Sequence, residues 1–419
     1  MNIDEKFIKE KLLENFLNYL SISSQSNEDK LEIPSSPGQV LLAKKLAKEL
    51  GDLGLKDINI NEFSVLQARL EPRGIDGDKA KKIAWVCHLD TVDVGLSDKI
   101  NPRLIRNYEG GDIILNSTED IRIKVEDEKD LVNYINDDII VTDGNSVLGA
   151  DNKAAIANVM TALWYLKENP DISHGEIFIA FVPDEEIGLR GVRKIDFDKF
   201  DVDFAYTIDC CKLGELVYET FNAASGRLKI KGVSAHPMAS KGNLVNPIMI
   251  AHDFISMLDR AKMPEHTEKR EGYIWITDIN SDVVNCEIKL NIRNHDKEKF
   301  EASKDYLRHI CEILKTRYKK AKIELEIEDV YRNIMDSVND KNHVAIDKLK
   351  ETFEKLKIKA EIIPMRGGTD GSYLSTRNIL TPNYFTGAHN FHSNKEFLPM
   401  NSFYKSFLVT LNLMRIWKT

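Results

Sequence analysis

The spacing of apolar residues along the chain predicts helices that alternate with buried strands. Helical spacing recurs in five segments, at residues 3–20, 38–50, 154–166, 343–357 and 400–416. Near-continuous apolar runs, typical of strands buried on both faces, lie at residues 83–87, 176–182 and 204–208. Shorter strands are predicted at residues 57–63 and 360–364. This alternation predicts an α/β fold with a mostly parallel sheet and helices on both faces.

In the middle of the chain the pattern changes to period two. Residues 215–221, 226–233 and 285–293 alternate between apolar and polar side chains, which favours antiparallel strands with one solvated face. Helices at 245–260 and 297–320 and a strand at 322–328 complete an α+β pattern. We therefore predict a larger domain formed by residues 1–221 and 331–419, interrupted by a smaller α+β domain at 222–330. One continuous large sheet is the alternative, and the charge-rich residues 117–137 predict a surface excursion.

Composition narrows the class of protein. The 419 residues are 42% hydrophobic and 30% charged, as in globular proteins with a substantial core. A net charge of −9 gives no electrostatic reason to expect binding to nucleic acid or to an anionic membrane, although a local basic pocket is compatible with it. The five cysteines are odd in number, and the start of the chain lacks an apolar leader; both observations favour a reducing, cytoplasmic location.

Acidic residues and histidines follow the predicted buried strands, where open α/β sheets bind ligands. His88 and Asp90 follow the run at 83–87, and Glu185 and Glu186 follow the run at 176–182. Asp209 follows the run at 204–208. Each has an ordinary alternative, because strand ends and turns often carry solvated polar residues.

Two further positions fit the same pattern. Asp151 precedes the helix at 154–166, where a plain helix cap is the alternative, and His392 follows an apolar segment at Tyr384 and Phe385. Together, two histidines and three carboxylates suit a pair of zinc ions that share one carboxylate. A neighbouring glutamate would then be available as a general base.

Longer motifs identify a family. Specific segments are His88-Leu89-Asp90-Thr91, Asn107-Tyr108-Glu109-Gly110-Gly111-Asp112-Ile113, Leu148-Gly149-Ala150-Asp151, Pro183-Asp184-Glu185-Glu186-Ile187-Gly188 and Arg366-Gly367-Gly368-Thr369-Asp370-Gly371. The second and the last of these are far more selective than an isolated His-x-Asp. On these segments the chain resembles the peptidase T (tripeptide aminopeptidase) branch of the M20 co-catalytic zinc peptidases over nearly its whole length.

The resemblance implies a role for each site residue. Asp151 bridges two Zn²⁺ ions, for which Co²⁺ or Mn²⁺ could substitute. His88 and Asp209 complete one site, and Glu186 and His392 complete the other. Glu185 is the general base and Asp90 orients His88. The family also implies a catalytic domain with an inserted lid, a homodimer through that lid, and a cis peptide bond after Asp151.

The resemblance also suggests where substrate binds. His236 would lie on the lid and donate to the oxyanion, although a surface histidine beside a proline is the alternative. We select Asn246, Arg293 and Arg366 as candidates for binding the substrate carboxylate, because arginine matches that group geometrically. Structural salt bridges are the alternative for both arginines.

The chain departs from the family at three points. Asn152 replaces a second aspartate, Cys210 and Cys211 replace glycines after Asp209, and His389 is an additional histidine near His392. For the two thiols we favour packing over zinc coordination or oxidation, and for His389 a surface role. These changes leave the expected chemistry intact and bear on substrate choice.

The resulting expectation is a cytoplasmic aminopeptidase that removes the first residue of short peptides, preferentially tripeptides. The close alternative is an M20-type dipeptidase or N-acyl amino-acid amidohydrolase with the same metals. A non-enzymatic peptide-binding protein is disfavoured, because all five ligands and the base are present.

Overall fold

The structure is a computed structural model that describes residues 4–74 and 80–415. The predicted helices at 3–20 and 400–416 therefore each have one end residue, Ile3 and Ile416, outside the described residues. The helices are α1 Glu5–Leu20, α2 Pro37–Asp52, α3 Ala150–Glu168, α4 Pro247–Ser256, α5 Lys297–Arg317, α6 Val344–Lys355, α7 Asp370–Thr376 and α8 Met400–Arg415. The first nine strands are β1 Lys56–Ile60, β2 Leu66–Leu70, β3 Lys82–His88, β4 Arg103–Ile105, β5 Ile113–Asn116, β6 Ile121–Ile123, β7 Ile139–Val141, β8 Glu176–Val182 and β9 Phe204–Cys210. The remaining strands are β10 Glu215–Thr220, β11 Asn222–Lys231, β12 Tyr273–Ser281, β13 Asn285–Asn294, β14 Lys322–Tyr331, β15 Glu361–Met365, β16 Asn383–Phe385 and β17 Phe397–Pro399.

An eight-stranded sheet has the order β1-β2-β8-β3-β9-β16-β10-β15. Its four central strands, β8, β3, β9 and β16, are parallel to one another, and β2 and β10 flank them in antiparallel orientation. The three apolar runs predicted as doubly buried strands are β3, β8 and β9, and Trp85 and Tyr206 within them are fully buried. The predicted fold class, α/β with a large sheet and a separate antiparallel sheet, is confirmed.

Helix α3 is buried almost all round. It packs against α1, α8 and the strands β3 and β9, and its buried residues occupy every side of the helix. Helix α3 begins at Ala150, but Asp151 and Asn152 have non-helical backbone angles, so its regular part begins close to the predicted residue 154. The turn before this regular part brings Asp151 close to the carboxyl end of β3.

Residues 101–148 contain short strands that their apolar pattern did not predict. Strand β7 lies between β4 and β17 in a three-stranded sheet, and β5 pairs with β6. The charged residues of 117–137 are largely exposed, but Ile123 and Leu131 from this segment are buried in an apolar cluster with Phe397. The segment expected as a surface excursion is therefore partly packed.

The described residues form two compact units, and the residues of each unit contact mainly one another. We call residues 4–218, 337–363 and 369–415 the larger unit, and residues 219–336 and 364–368 the smaller unit. The boundaries drawn from sequence at 222 and 330, as limits of independently folding domains, stay a prediction.

The smaller unit contains a four-stranded antiparallel sheet in the order β12-β13-β11-β14. Alternate residues of β13, including Ile288 and Leu290, point into a core formed with α4 and α5. Strand β12 was not predicted, because it lies at the sheet edge and is mostly exposed, without the alternation that marks the other strands. Among the residues that the structure describes, no helix combines the length and apolar content needed to cross a membrane.

Candidate metal centre

Three neighbouring parallel strands deliver side chains to one edge of the large sheet. His88 is the last residue of β3, and Asp209 is the penultimate residue of the adjacent strand β9. Glu185 and Glu186 follow β8, which pairs with β3 on its other side. Because parallel strands end at the same edge, these residues meet although they are far apart in sequence.

Asp151 lies at the centre of this group. Its Oδ1 is 2.9 Å from Nε2 of His88, and its Oδ2 is 3.1 Å from Nε2 of His392. Nε2 of His392 is also 3.0 Å from Oε1 of Glu186, and Nε2 of His88 is 3.8 Å from Oδ1 of Asp209. The structure thus brings together all five residues that the sequence analysis selected as metal ligands.

The backbone at Asp151 departs from helical geometry. Gly149 has a φ of 73°, and Asp151 has a φ of −80° with a ψ of 100°. The Asp151–Asn152 peptide bond is cis, as the resemblance implied. A side chain at Gly149 would also meet Cγ2 of Thr91 at 3.0 Å. Glycine suits this position both for its positive φ and for the lack of space.

Asn152 occupies the position where the resemblance implied a second aspartate. Its Nδ2 donates to the carbonyl of Ile208 at 2.7 Å and to Oδ1 of Asp209 at 3.3 Å. Its Oδ1 accepts the backbone N–H of His88 at 3.3 Å. The amide therefore supplies a donor where two acceptors face it, which an ionised aspartate would not do.

Asp90 joins the histidine and the two glutamates. It is fully buried, and its Oδ1 lies 3.3 Å from Nδ1 of His88. Its two carboxylate oxygens accept the backbone N–H groups of Glu185 and Glu186 at 3.0 and 3.1 Å. The backbone carbonyl of Asp90 lies 3.1 Å from the same ring nitrogen. Asp90 thus fixes the ring of His88, through its carbonyl as well as its carboxylate, together with the start of the glutamate loop.

Burial and neighbouring charged groups shift the pKa values of the residues in the cluster. Burial raises the pKa of Glu185 well above its usual range, raises that of Glu186 to about 7 and raises that of Asp209 to about 6. Asp151 and Glu186 raise the pKa of His392 to about 11. Burial alone would lower the pKa of His88, but hydrogen bonds to Asp151, Asp209 and Asp90 raise it well above the usual value.

The donor set fits a metal ion. Ligand atoms of His88, Asp151 and Glu186 all lie within 4.8 Å of one another. Oε1 of Glu186 is buried and accepts no hydrogen bond, although Nε2 of His392 is close to it. Several acidic side chains buried together are costly without a compensating cation, and carboxylate oxygen with imidazole nitrogen is a donor set that zinc accepts.

Three acidic residues at or beside the site were not selected as functional residues from the sequence. Asp184 is fully buried and accepts hydrogen bonds from Ser35 and Gln39. Asp370 begins α7, its Oδ1 is buried without a hydrogen-bond partner, and burial raises its pKa to about 8. Glu396 accepts four backbone N–H groups around Asp151. Asp184 and Asp370 lie within the quoted motifs, and that is the signal that could have found them.

The extra histidine and the cysteines are packed into the larger unit. His389 is buried, stacks on Phe397 with ring centroids 4.5 Å apart, and lies with Nε2 2.7 Å from the hydroxyl of Tyr134. Its expected surface role is therefore wrong, because that stack encloses it. Cys210 is buried and Cys211 half-buried; neither forms a disulfide, and burial raises the pKa of each thiol.

The four substrate-binding candidates all lie in the smaller unit and are described within it. His236 and Asn246 are exposed, and Asn246 caps α4 through the N–H of Ile248. The guanidinium of Arg366 donates to the carbonyls of Lys269 and Glu271 and to the hydroxyl of Thr267. That of Arg293 donates to the carbonyls of Ala224 and Ile292. Both arginines thus have structural partners in their own unit.

Comparison with known proteins first defines the class. The family model described as the peptidase dimerisation domain matches residues 218–322. The crystal structure of the aminopeptidase PepT from Bacillus cereus matches with a TM-score of 0.74 and 22% identity, over 97% of this chain and 98% of that one. A dinuclear metal-binding peptidase of the M20 family from Bacillus subtilis matches with a TM-score of 0.65 and 15% identity, over 98% of both chains. The fold is therefore the one that these peptidases share.

Sequence relatives then define the family. A peptidase T-like protein of Yersinia pestis is 48% identical over 96% of this chain and 97% of its own length. The peptidase T of Fusobacterium nucleatum is 41% identical over 97% of both chains. The chain belongs to the peptidase T family.

Proposed function

We propose that the protein is a metal-dependent aminopeptidase that removes the N-terminal residue of short peptides, preferentially tripeptides. The observation that carries this proposal is the convergence of two histidines and two carboxylates around the carboxylate of Asp151, with Glu185 buried beside them. The curated relatives named peptidase T support it, because they match over nearly the whole chain.

The metal ligands would divide into two sets that share Asp151. His88 and Asp209 would hold one ion, and Glu186 and His392 would hold the other. We infer Zn²⁺ from the mixed nitrogen and oxygen donors, with Co²⁺ or Mn²⁺ as substitutes. When bound, such ions acidify water and polarise a peptide carbonyl.

Glu185 would move the proton in this reaction. Its carboxylate would accept a proton from the attacking water and pass it to the nitrogen of the leaving amine. Burial raises the pKa of Glu185, which makes its carboxylate a stronger proton acceptor. Asp90 would hold both the base and His88 in place, through the backbone N–H of Glu185 and through the His88 ring.

Substrate recognition would come from the smaller unit. His236 would donate a hydrogen bond to the developing oxyanion, and its exposure leaves it accessible to a ligand. Asn246, Arg293 and Arg366 remain our candidates for the substrate carboxylate. Arg293 and Arg366 would have to bind it through guanidinium N–H groups that do not already donate to the backbone carbonyls or to Thr267. The dimerisation-domain match at 218–322 supports a homodimer through the smaller unit.

We also propose a cytoplasmic location, because all five cysteines are free. This proposal makes a reducing compartment the expected working environment of the enzyme. Because Cys87 and Cys286 are buried, treatment with a thiol oxidant should leave both unmodified in the folded protein, as mass spectrometry of labelled peptides would report.

The test is a peptide-length assay with a base variant. Purified protein should cleave tripeptides faster than dipeptides or tetrapeptides, lose activity to a chelator and regain it with zinc or cobalt. Glu185→Gln should bind the metal and lose at least ~100-fold in kcat. Glu176→Gln is the control, because this glutamate lies at the other end of β8 and pairs with Arg69.

Two results would overturn the proposal. Activity that is indifferent to chelation would reject the metal, and unchanged turnover in Glu185→Gln would reject the base. Cleavage of dipeptides or N-acyl amino acids with tripeptides inert would replace the tripeptide assignment by a dipeptidase or amidohydrolase.

A further inference from the structure

Glu396 is a buried carboxylate surrounded by backbone donors. Its side chain is 1% exposed. Oε2 accepts the N–H groups of Leu148 and Gly149 at 2.7 and 2.8 Å. Oε1 accepts the N–H groups of Ala150 and Asp151 at 2.9 and 3.4 Å. Four consecutive amides therefore converge on one side chain.

This arrangement needs a carboxylate. The four N–H groups belong to the turn that begins α3, and the first N–H groups of a helix have no partner within the helix. A carboxylate offers lone pairs on both oxygens and carries the charge that a helix N-terminus favours. Glutamine would present an NH₂ group to two of the four donors and could satisfy only the others.

Glu396 also belongs to the loop that carries His392. Residues His389 and Phe397 exchange backbone hydrogen bonds, which close the loop at its base. Within it, the amide of Asn390 donates to the carbonyl of Lys395, and the backbone N–H of Glu396 donates to the carbonyl of Ser393. His392 and Glu396 thus belong to one loop that these hydrogen bonds stabilise.

One loop therefore contacts the Asp151 turn at two places. His392 approaches Oδ2 of Asp151 at 3.1 Å, and Glu396 holds the backbone N–H of Asp151 and of the three residues before it. By contrast, His88 and Asp209 are held by Asp90 and Asn152, and Asp90 also accepts the backbone N–H of Glu186. The two histidines of the cluster therefore have separate supports.

We propose that Glu396 is a positioning residue that sets His392 against Asp151 and so determines the affinity of one metal site, the one formed with Glu186. The proposal rests on the proposed function, which supplies the two metal sites. It gives a specific expectation: because Asp151 is shared but only His392 lies on the loop of Glu396, loss of the Glu396 carboxylate weakens the site that contains His392 more than the site that contains His88.

The experiment compares Glu396→Gln with a matched control, Asp137→Asn. Asp137 is also a buried carboxylate of the larger unit, and it accepts the backbone N–H groups of Asp138 and Asn401 near the start of α8. Both variants lose a buried carboxylate from backbone donors, but only Glu396 touches the cluster. Metal content after dialysis, zinc affinity by chelator competition and the visible absorption spectrum of the cobalt-loaded protein are measured for each.

We expect wild type and Asp137→Asn to bind two ions. Glu396→Gln should bind one ion nearly as tightly as wild type and the second about 10–100-fold more weakly, with a cobalt spectrum in which one site is altered more than the other. Glu396→Asp keeps the charge but is one methylene shorter, and it should fall between wild type and Glu396→Gln. If the glutamine variant does not fold, the aspartate variant decides the question by itself.

The outcomes separate this proposal from the proposed function. If the variants at 396 bind both ions as wild type does, the positioning role is wrong and the enzyme assignment is untouched. Equal weakening of both sites, or the same change in Asp137→Asn, also overturns it. A wild-type protein that binds no metal and cleaves no peptide overturns the proposed function instead.

Discussion

Replacement of Asp90 by asparagine tests how the candidate centre is built. The carboxylate of Asp90 accepts the backbone N–H groups of Glu185 and Glu186 at 3.0 and 3.1 Å and lies beside the ring of His88. Asparagine has nearly the same shape but only one acceptor oxygen. Asp90→Asn would therefore keep one of the two backbone hydrogen bonds and turn its NH₂ group towards the other N–H.

The magnitude follows from those contacts. Hydrogen bonds to a charged group contribute about 1.5–3 kcal/mol each, and an unsatisfied buried donor costs about 1–3 kcal/mol. In Asp90→Asn one backbone N–H keeps a hydrogen bond, now to a neutral and weaker acceptor, and the other N–H loses its acceptor. We therefore expect the substitution to lower the free energy of unfolding by about 2–5 kcal/mol. Loss of a partner that orients a ligating histidine typically reduces metal affinity or activity by about 10–100-fold.

Urea unfolding of the metal-free protein measures the first effect, and chelator competition with kcat/KM on a tripeptide measures the second. Asp137→Asn is the control, because it removes a buried carboxylate of similar bonding away from the cluster. We expect the control to lose stability but to keep its zinc affinity. If Asp90→Asn retained wild-type zinc affinity and kcat/KM, the orienting role of Asp90 would be refuted.

Three further predictions concern other parts of the chain. Asn152→Asp should lower the free energy of unfolding of the metal-free protein by about 1–3 kcal/mol, because a carboxylate would replace the amide that donates to Ile208 and Asp209. Urea unfolding at pH 8 measures this loss, and equal stability would contradict it. Zinc affinity should rise with pH around neutrality. Asp151 and Glu186 raise the pKa of His392 to about 11, so the ring is protonated in the metal-free protein. Metal binding must release that proton. Calorimetry in two buffers of different ionisation enthalpy should detect at least one proton released at pH 7, and none released would refute it. Ile288→Ala in the core of the smaller unit should cost about 2–5 kcal/mol in urea unfolding, and a cost below about 1 kcal/mol would contradict its burial.

Local sequence pattern predicted the long elements well. The apolar runs at 83–87, 176–182 and 204–208 are the strands β3, β8 and β9, and the period-two segment at 285–293 is β13. These elements repeat their pattern over enough residues to show a period. The short strands β2, β7 and β16 show no full period and were not predicted, whereas the five-residue strands β1 and β15 were. Edge strand β12 lacks alternation because neither of its faces is well covered.

The candidate ligands could be selected from the sequence because polar residues follow buried strands. Their convergence depends on the order β8-β3-β9, which places three strand ends side by side. It also depends on chain segments that are distant in sequence, since His88 and His392 approach Asp151 from 63 and 241 residues away. No periodicity encodes such distances.

What the sequence by itself determined is therefore the set of elements, the chemical types at strand ends and, through its motifs, the family. Apart from Asp90, which the motifs already suggested, only the tertiary structure decided which polar groups support the ligands. Glu396 shows the reason most clearly: its four backbone partners lie 245–248 residues earlier in the chain. Backbone N–H groups are the same in every residue except proline, so a side chain that binds them leaves no mark in the partner sequence.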